Sequence, residues 1–385
     1  MADIFTKTAL VAFENTSSIL QEKHGFFNTS AISMVEQTDH GCRVYEFMVS
    51  VVLVGVSCLF GIVGNVLSII ILRRDPRHSV TLFLLTALAV VDLLFVLPMS
   101  ILFIIPGVCR FVWRCPPALN HTMVHIDQYG WAVASMAHTA TIYVTLLVTI
   151  HRFISVCHPH ETSRLSTLHL AKVQVIIVAA FAVVYNIPRF LEFTIIMVRY
   201  ENKEGVVEEA PKRTLTPFAK NRYYQVIYKN ICFYLLIYII PLTTLIILTA
   251  KLARTLKERQ RYRHRVATRR LGREDNTTFV LIVIVLVFIV CQTPTPFQRL
   301  FYTIFGDEGR QCGHFFFYFE RFADYLAVLN SCVNFMVYVI FAKGFRQTLK
   351  NTFLRRKSQS RRKTVRASMS TFHYSPTQIN SNNNL

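Results

Sequence analysis

Charged residues are scarce in this chain of 385 residues: they make up 17% of it, whereas soluble globular proteins are usually about a quarter charged. Acidic residues are especially few, with 22 Asp and Glu against 42 Lys and Arg, which leaves a formal net charge of +20. With an apolar fraction of 52%, this composition excludes an ordinary cytosolic enzyme and excludes disorder over most of the chain. The basic excess would indicate nucleic-acid binding only if it lay on a folded face, so nucleic acid is not an expected partner.

Catalytic motifs are missing as well. The sequence has no glycine-rich phosphate loop, no Gly-x-Ser-x-Gly and no His-Glu-x-x-His, and its histidines are scattered. No spacing of cysteine and histidine is typical of a metal site. We therefore expect neither an enzyme nor a cofactor.

Long apolar segments are what the sequence does contain. Windows of about 19 residues, which suit the ~30 Å hydrocarbon core of a bilayer, identify seven of them. They lie at 47–72, 80–105, 129–157, 173–197, 229–250, 278–302 and 322–342. Hydropathy supports the third and fifth least, and the threonines of the third predict a helix at the centre of a bundle. The predicted fold is an all-α membrane protein, a seven-transmembrane helix bundle.

The basic residues orient this bundle. Residues 251–275 hold ten basic and three acidic residues, and the segment after Ala342 holds ten basic residues and no acidic one. Because short cytoplasmic loops carry the Lys and Arg excess, the C-terminus is predicted inside and the N-terminus outside. The expected organisation is an extracellular segment 1–46, a bundle 47–342 and a basic cytoplasmic segment that is disordered over 351–385.

The N-terminal segment has no early apolar region, so we do not expect a signal peptide there. Sequons on the predicted outer side are glycosylation candidates, at Asn15, Asn28 and Asn120. Four cysteines are also predicted outside, where disulfides form, and three pairings are open to them. We favour Cys109–Cys115 together with Cys42–Cys312.

Polar residues within the apolar blocks are functional candidates, because burying them in hydrocarbon is expensive. Asp92 lies in the middle of the second block, Asn65 in the first, and Asn330 and Asn334 in the seventh. Such a group could hold a sodium ion, or a protonated acid could organise hydrogen bonds. The alternative is that these side chains only join helices.

A switch is suggested at the inner ends of the third and sixth blocks. Arg152 ends the third block, and Glu274 lies just before the sixth. An ion pair between them would close the inner face, and its loss would release the sixth helix. Pro294, just outside Phe288, is a natural hinge for that helix.

In order and spacing, these residues resemble the rhodopsin-like (class A) G-protein-coupled receptors over residues 47–350. Asn65 resembles the helix-one asparagine, Arg152 the arginine of the Asp/Glu-Arg-Tyr motif, and Asp92 the sodium-site acid. The resemblance implies Thr141, Asn330 and Asn334 as partners of Asp92. It also implies an activation connector of Ile142, Pro241 and Phe288, and a helix-seven motif that ends at Tyr338. A short cytoplasmic eighth helix over 343–350 is implied by the similarity of Phe341–Arg346 to its start.

A narrower resemblance is to the invertebrate FMRFamide-type neuropeptide receptors. It rests on YNIPRFLEF at 185–193, CQTP at 291–294 and NSCVNFMVY at 330–338. It implies a plasma-membrane receptor that binds an extracellular amidated neuropeptide. Outward movement of helix six would then activate a heterotrimeric G protein.

The sequence departs from the family pattern at several positions. His151 replaces the acid before Arg152, and its charge could make the inactive state pH-sensitive. Gln292 replaces a tryptophan, and Phe335 replaces the helix-seven proline. The usual disulfide from helix three to the second extracellular loop is not expected. Its helix-three position would be near Asp127, and residues 194–228 contain no cysteine.

The ligand is expected to enter from outside, between helices three, five, six and seven. Ala134 stands where amine receptors have an aspartate, which argues against a monoamine. Glu320 and Asp324 share a helix face and could bind an arginine of a peptide. Alternatively, they pair with Arg321 or Arg299 within the receptor. The predicted pocket residues are Trp131, Ser135, His138, Gln292, Arg299, Glu320 and Asp324.

The inner face is the predicted surface for G protein and anionic lipid. Its contact candidates are Arg152, Arg254, Lys257, Arg270 and Arg273. Ser358, Thr364 and Ser368 follow basic residues, and their phosphorylation by receptor kinases would favour arrestin-like partners. The alternatives are a receptor for a different small ligand and, in another class, a transporter that uses the Asp/Asn cluster. Inverted repeats would be expected in a transporter, and none is visible.

Overall fold

The structure is a computed structural model that describes residues 40–75, 79–112, 116–201, 207–266, 272–306 and 308–352. Within these ranges, seven helices are long and apolar enough to cross a membrane, which confirms the predicted seven-helix bundle. They are α1 (His40–Arg73), α2 (Val80–Phe111), α3 (His121–Cys157), α4 (Leu168–Leu191), α5 (Tyr224–Arg261), α6 (Asn276–Phe305) and α7 (Phe315–Phe341). A further helix, α8, covers residues 343–352. Below, the outer end is the end at which α1, α3, α5 and α7 begin.

Several helices are longer than the apolar blocks. α1 begins at His40, seven residues before the first apolar block, and the helix that contains α3 begins at Pro117. The helix of α5 continues to Val266, and Leu252 and Leu256, one turn apart, are buried against Val156 of α3. Hydropathy detects the part of a helix that crosses the bilayer, whereas helical packing continues beyond it.

The fourth block was predicted to run to residue 197, and its end was wrong. Regular helix stops at Asn186, and a 3₁₀ turn follows at Ile187–Leu191. Strand β1 (Phe193–Glu201) then pairs antiparallel with β2 (Val207–Leu215), with Phe193 opposite Leu215. Pro188 disfavours further helix, and the following Thr-Ile-Ile-Met-Val run suits a strand.

α3 lies at the centre of the bundle, as its threonines predicted. Half of its most apolar stretch is buried, as in α6, compared with 22% for α4 and α5. α1 approaches α7 closely through two glycines. A Cβ on Gly61 would lie 2.5 Å from Sγ of Cys332, and one on Gly64 would lie 2.7 Å from Cβ of Phe335. Small residues are what allow helices in a membrane to pack this tightly.

α6 is interrupted beside its prolines. One helical segment ends at Gln292 and the next begins at Pro294. Tyr234 of α5 donates a hydrogen bond to the carbonyl of Pro296 (3.0 Å), and Tyr238 donates one to the carbonyl of Thr293 (3.3 Å). The α6 break therefore lies against α5, near the position where a hinge was predicted.

Candidate functional site

The β-hairpin is attached to the outer end of α3. The Arg213 guanidinium of β2 forms an ion pair with the Asp127 carboxylate at 2.6 Å and lies 4.2 Å over the Phe193 ring. Gln128 donates a hydrogen bond to the carbonyl of Phe193 (3.1 Å). Asp127 also accepts a hydrogen bond from the Trp131 indole (2.8 Å). These contacts fix the hairpin over the predicted ligand entrance.

His138 and Gln292 join α3 to α6 below this entrance. His138 Nε2 and Gln292 Oε1 lie 3.1 Å apart, and the His138 ring lies 5.4 Å from that of Phe95. Gln292 is buried, whereas Trp131 and Ser135 are half-buried on α3. The predicted pocket residues of α3 therefore face one shared region of the bundle. Gln292 supplies a polar contact at the position where the family pattern has tryptophan.

Glu320 of α7 is buried and already paired. Arg310 donates to its Oε1 from Nε (2.9 Å) and Nη2 (2.6 Å), and Arg321 lies 3.8 Å from its Oε2. Arg321 and Arg110 in turn both reach Glu46 of α1, at 3.1 Å and 2.9 Å. The structure thus shows the internal pairing with Arg321 that was the alternative for Glu320. The sequence did not indicate the pairing with Arg310.

Asp324, one turn further along α7, has a different environment. It is half-buried, and Gln298 of α6 donates a hydrogen bond to its Oδ1 (2.8 Å). Arg299 forms no ion pair with either acid within the described part of the chain. Its Nε donates to the carbonyl of Lys229 (2.7 Å), and its guanidinium lies 4.4 Å over the Phe233 ring. The internal alternative with Arg299 was therefore wrong, and Asp324 still faces a polar region of the outer end.

Sequence reasoning missed three charged residues at the outer ends of α4 and α5. Lys229 forms an ion pair with Glu192 (3.0 Å), and the Tyr224 hydroxyl donates to the other oxygen of Glu192 (2.7 Å). Arg189 is half-buried next to the Tyr228 side chain. The signal was present, because Arg189 and Glu192 both interrupt an otherwise apolar stretch, YNIPRFLEF.

Asp92 lies at the centre of a buried polar cluster. It is fully buried, and it accepts hydrogen bonds from Thr141 (3.2 Å) and Asn334 (2.8 Å). Asn65 donates instead to the carbonyl of Ser331 (2.9 Å), and Asn330 is buried nearby on α7. No basic side chain pairs with Asp92 among the described residues. Carboxylate, hydroxyl and amide oxygens are ligands that suit a hard cation, so these residues fit a sodium ion.

Two of the three residues of the activation connector lie in one packed cluster. Ile142 and Phe288 are buried together with Phe233 and Ile237, and Pro241 is buried on α5. Closer to the inner end, Tyr338 is buried, and its ring centroid lies 5.4 Å from that of Phe345 in α8. Helices α3, α5 and α6 therefore share one apolar contact directly beneath the α6 break.

His151 is directed away from the predicted switch. It is buried, with Nδ1 2.9 Å from the Ser166 hydroxyl and Nε2 2.7 Å from Oε1 of Gln174 on α4. Arg152 is half-buried at the inner end of α3, and Arg254 and Lys257 are exposed on α5. Glu274 and Arg273 lie on the helix Gly272–Gln292, but their side chains are outside the described set, so the Arg152–Glu274 pair stays a prediction.

One of the two favoured disulfides joins α1 to the loop before α7. Cys42 and Cys312 are bonded, with their Cα atoms 5.9 Å apart. Cys109 is also disulfide-bonded, and its predicted partner Cys115 lies outside the described residues. The same holds for Asn15, Asn28, Arg270, Ser358, Thr364, Ser368 and the side chain of Asn120.

Comparison with known proteins gives one family and several relatives. The model of the seven-transmembrane receptors of the rhodopsin family matches residues 64–338. The FMRFamide receptor of Drosophila melanogaster is 29% identical over 81% of this chain and 55% of its own length. The FMRFamide peptide receptor frpr-18 of Caenorhabditis elegans is 26% identical over 76% of this chain and 66% of its own length. The neuromedin-U receptor 2 of Mus musculus is 26% identical over 76% of this chain. The chain therefore spans about half to two thirds of the length of the first two relatives.

Proposed function

The chain belongs to the rhodopsin family of seven-transmembrane receptors, and from this premise we propose that it is the cell-surface receptor of an amidated neuropeptide of FMRFamide type. As a member of this family it is a multi-pass membrane protein and not an enzyme. Its similarity to two FMRFamide receptors over more than three quarters of the chain carries the proposal. The proposed orientation puts the N-terminus outside the plasma membrane and the basic C-terminal segment inside.

The outer end offers chemistry that suits such a peptide. Asp324 has one described hydrogen bond, from the neutral amide of Gln298. A guanidinium on the ligand could therefore add a charge-assisted bond to this carboxylate. Glu320 is proposed to position the loop that carries Arg310 and not to bind ligand, because its carboxylate is already paired.

Signalling is proposed to pass through the apolar contact of Ile142, Phe288 and Pro241. A ligand that contacts Gln292 would act on the outer side of the α6 break. Rearrangement of the apolar cluster on the inner side of the break would then let the inner end of α6 move outward. Exposed basic residues such as Arg254 and Lys257 would then meet a heterotrimeric G protein. Anionic lipid, receptor kinases and arrestin are further proposed partners of the basic inner segments.

Sodium is proposed as an allosteric ligand of the Asp92 cluster. Asp92, Thr141 and Asn334 would supply oxygen atoms to the ion, and the buried charge of the acid would be neutralised by it. A ligand that binds one conformation better than the other shifts the population toward that conformation. Sodium bound here would therefore favour the arrangement in which α2, α3 and α7 surround Asp92.

A screen of amidated neuropeptides tests the proposal. The receptor would be expressed in cells, and calcium and cyclic AMP would be recorded together, with untransfected cells and an Arg152→Ala variant as controls. We expect a response to peptides that end in Arg-Phe-amide, and little response from the variant. Normal surface expression without a response to any amidated peptide would contradict the proposed ligand class.

A further inference from the structure

Three basic side chains converge at the outer ends of α4, α5 and α6, where the described residues supply a single acid. Arg189 and Arg299 both lie near Lys229. The backbone carbonyl of Lys229 accepts a hydrogen bond from Arg299 Nε (2.7 Å), and its ammonium group is paired with Glu192 (3.0 Å). Tyrosines line the same region, and the ring centroids of Tyr228 and Tyr224 lie 5.0 Å apart. Among the described residues, the cluster therefore carries an excess of positive charge.

The single acid, Glu192, is already paired. Glu192 accepts from Lys229 at one oxygen (3.0 Å) and from the Tyr224 hydroxyl at the other (2.7 Å). Its charge is thus committed to Lys229. The two arginines are left without an ion pair inside the described ranges of the chain.

Both arginines have only neutral or incomplete contacts. Arg299 bonds a backbone carbonyl through Nε and lies over the Phe233 ring. The Nε of Arg189 is buried and has no hydrogen-bond partner within the described residues. A cation over an aromatic ring and a backbone bond recover only part of the cost of removing a guanidinium from water.

Uncompensated cations near a membrane span are expensive, and they mark sites of binding more often than sites of packing. The guanidinium fork matches the two oxygens of a carboxylate, and such a bidentate contact is stronger than a neutral one. An oxyanion held between the two arginines would balance the charge of the cluster and satisfy the buried Nε of Arg189.

We propose that Arg189 and Arg299 form an anion-binding subsite that receives an acidic side chain of the peptide ligand. This inference rests on the proposed function, because it assigns the anion to a peptide. Asp324 on α7 would then bind a basic residue of the ligand, and this subsite would bind an acidic one. A ligand with one residue of each charge would therefore bind in a single orientation. A free inorganic anion has the same chemistry and is the other source that the experiment distinguishes.

Matched peptides test the assignment. Asp-Phe-Met-Arg-Phe-amide and Asn-Phe-Met-Arg-Phe-amide have the same shape and differ in one charge. Their potencies would be compared on the wild type, Arg189→Gln, Arg189→Lys and the control Arg199→Gln, which removes an exposed ion pair of the hairpin. We expect the wild type and the control to favour the acidic peptide by about tenfold or more. Arg189→Gln should lose this preference, and Arg189→Lys should keep part of it.

A second measurement does not need a peptide. Thermal unfolding of the purified full-length receptor would be followed in a zwitterionic buffer of low ionic strength, with and without added choline chloride. Because Arg189→Gln removes a half-buried cation that has no ion pair within the described residues, we expect its unfolding temperature without added chloride to exceed that of the wild type by about 2 °C or more. Arg199→Gln should show no such rise.

The outcomes separate the two proposals. A wild type that responds to neither peptide, while Arg189→Gln is stabilised, would support the anion site and reject the proposed ligand. Chloride stabilisation that Arg189→Gln abolishes, without any peptide preference, would overturn the assignment to the peptide. The subsite would be overturned if the wild type and Arg189→Gln preferred the acidic peptide equally. It would also be overturned if the wild type responded to neither peptide and Arg189→Gln had no higher unfolding temperature.

Discussion

The Arg213 guanidinium lies 2.6 Å from the Asp127 carboxylate, and this ion pair joins the β-hairpin to the outer end of α3. The sequence offers no cysteine between residues 194 and 228 that could form a covalent link at this position. Asp127 stands near the position at which the family pattern has its helix-three cysteine. A half-exposed salt bridge, supported by Gln128, therefore holds the hairpin at the outer end of the bundle.

Replacing Asp127 with asparagine should weaken this attachment. The Asn side chain keeps an oxygen that can accept from Trp131, but it loses the charge that binds Arg213. We expect a loss of about 0.5–1.5 kcal/mol in the free energy of unfolding, because the pair is only partly buried. Arg213→Gln should cost a similar amount, and the double variant should cost less than the sum.

Thermal unfolding of the purified receptor measures this loss. The matched control is the pair of Arg199 and Glu209, which lies in the same hairpin but is largely exposed. Substitution of either control residue should change stability by less than about 0.5 kcal/mol. Additive effects of Asp127→Asn and Arg213→Gln would show that the ion pair does not anchor the hairpin.

Asp324→Asn should reduce the affinity for an arginine-containing amidated peptide. Loss of a charge-assisted hydrogen bond costs about 1.5–3 kcal/mol, which is about tenfold to a hundredfold in the concentration for half-maximal response. The matched control is Glu320→Gln on the same helix face, since Arg310 and Arg321 already occupy its carboxylate. That variant should lower the unfolding temperature. It should leave the ratio of potencies between a peptide with arginine and the same peptide with citrulline nearly unchanged. An unchanged dose–response of Asp324→Asn at normal surface expression would remove Asp324 from the pocket.

Sodium should stabilise the wild-type receptor against heat, and Asp92→Asn should abolish that effect. Binding to the folded state alone adds about 1.4 kcal/mol when the ion reaches ten times its dissociation constant. The measurement is thermal unfolding in sodium chloride and in choline chloride at equal ionic strength. Glu209→Gln, which removes an exposed carboxylate, serves as the control. An equal sodium effect in wild type and Asp92→Asn would place the ion elsewhere.

His151→Ala should destabilise the inner half of the bundle. Both ring nitrogens are bonded, so the substitution leaves the Ser166 hydroxyl and the Gln174 amide without this partner, at a cost of about 1–3 kcal/mol. A double-mutant cycle with Gln174→Ala should show a coupling of about 0.5–3 kcal/mol in unfolding free energy. Strict additivity would mean that the 2.7 Å contact contributes nothing.

The parts of the fold that depend on local composition could be predicted. Seven long apolar runs predict seven helices, and the small and polar residues of α3 predict its central position. The strand after Pro188 was missed because an apolar run of β-branched residues has the same hydropathy as the end of a helix. The continuation of α5 was missed because Leu252 and Leu256 are separated by polar residues that a hydropathy window averages out.

The site divides in a similar way. Asp92 could be found because an acid stands out in an apolar run, and Asn334 and Thr141 followed from the family resemblance. The pairing of charges at the outer end could not be predicted. Arg189 and Glu192 are three residues apart, but their environment is set by Lys229 and Arg299 on two other helices. Which acid remains available to a ligand depends on those distant neighbours, as the contrast between Glu320 and Asp324 shows.

Nucleotide exchange tests the central claim most directly. The purified receptor in lipid vesicles would be mixed with a heterotrimeric G protein, and binding of a labelled GTP analogue would be recorded with and without Phe-Met-Arg-Phe-amide. We predict that the peptide accelerates exchange and that Arg152→Ala abolishes the acceleration. Absence of peptide-dependent exchange, together with peptide-dependent or spontaneous sodium flux across the vesicles, would contradict the account and favour a transporter.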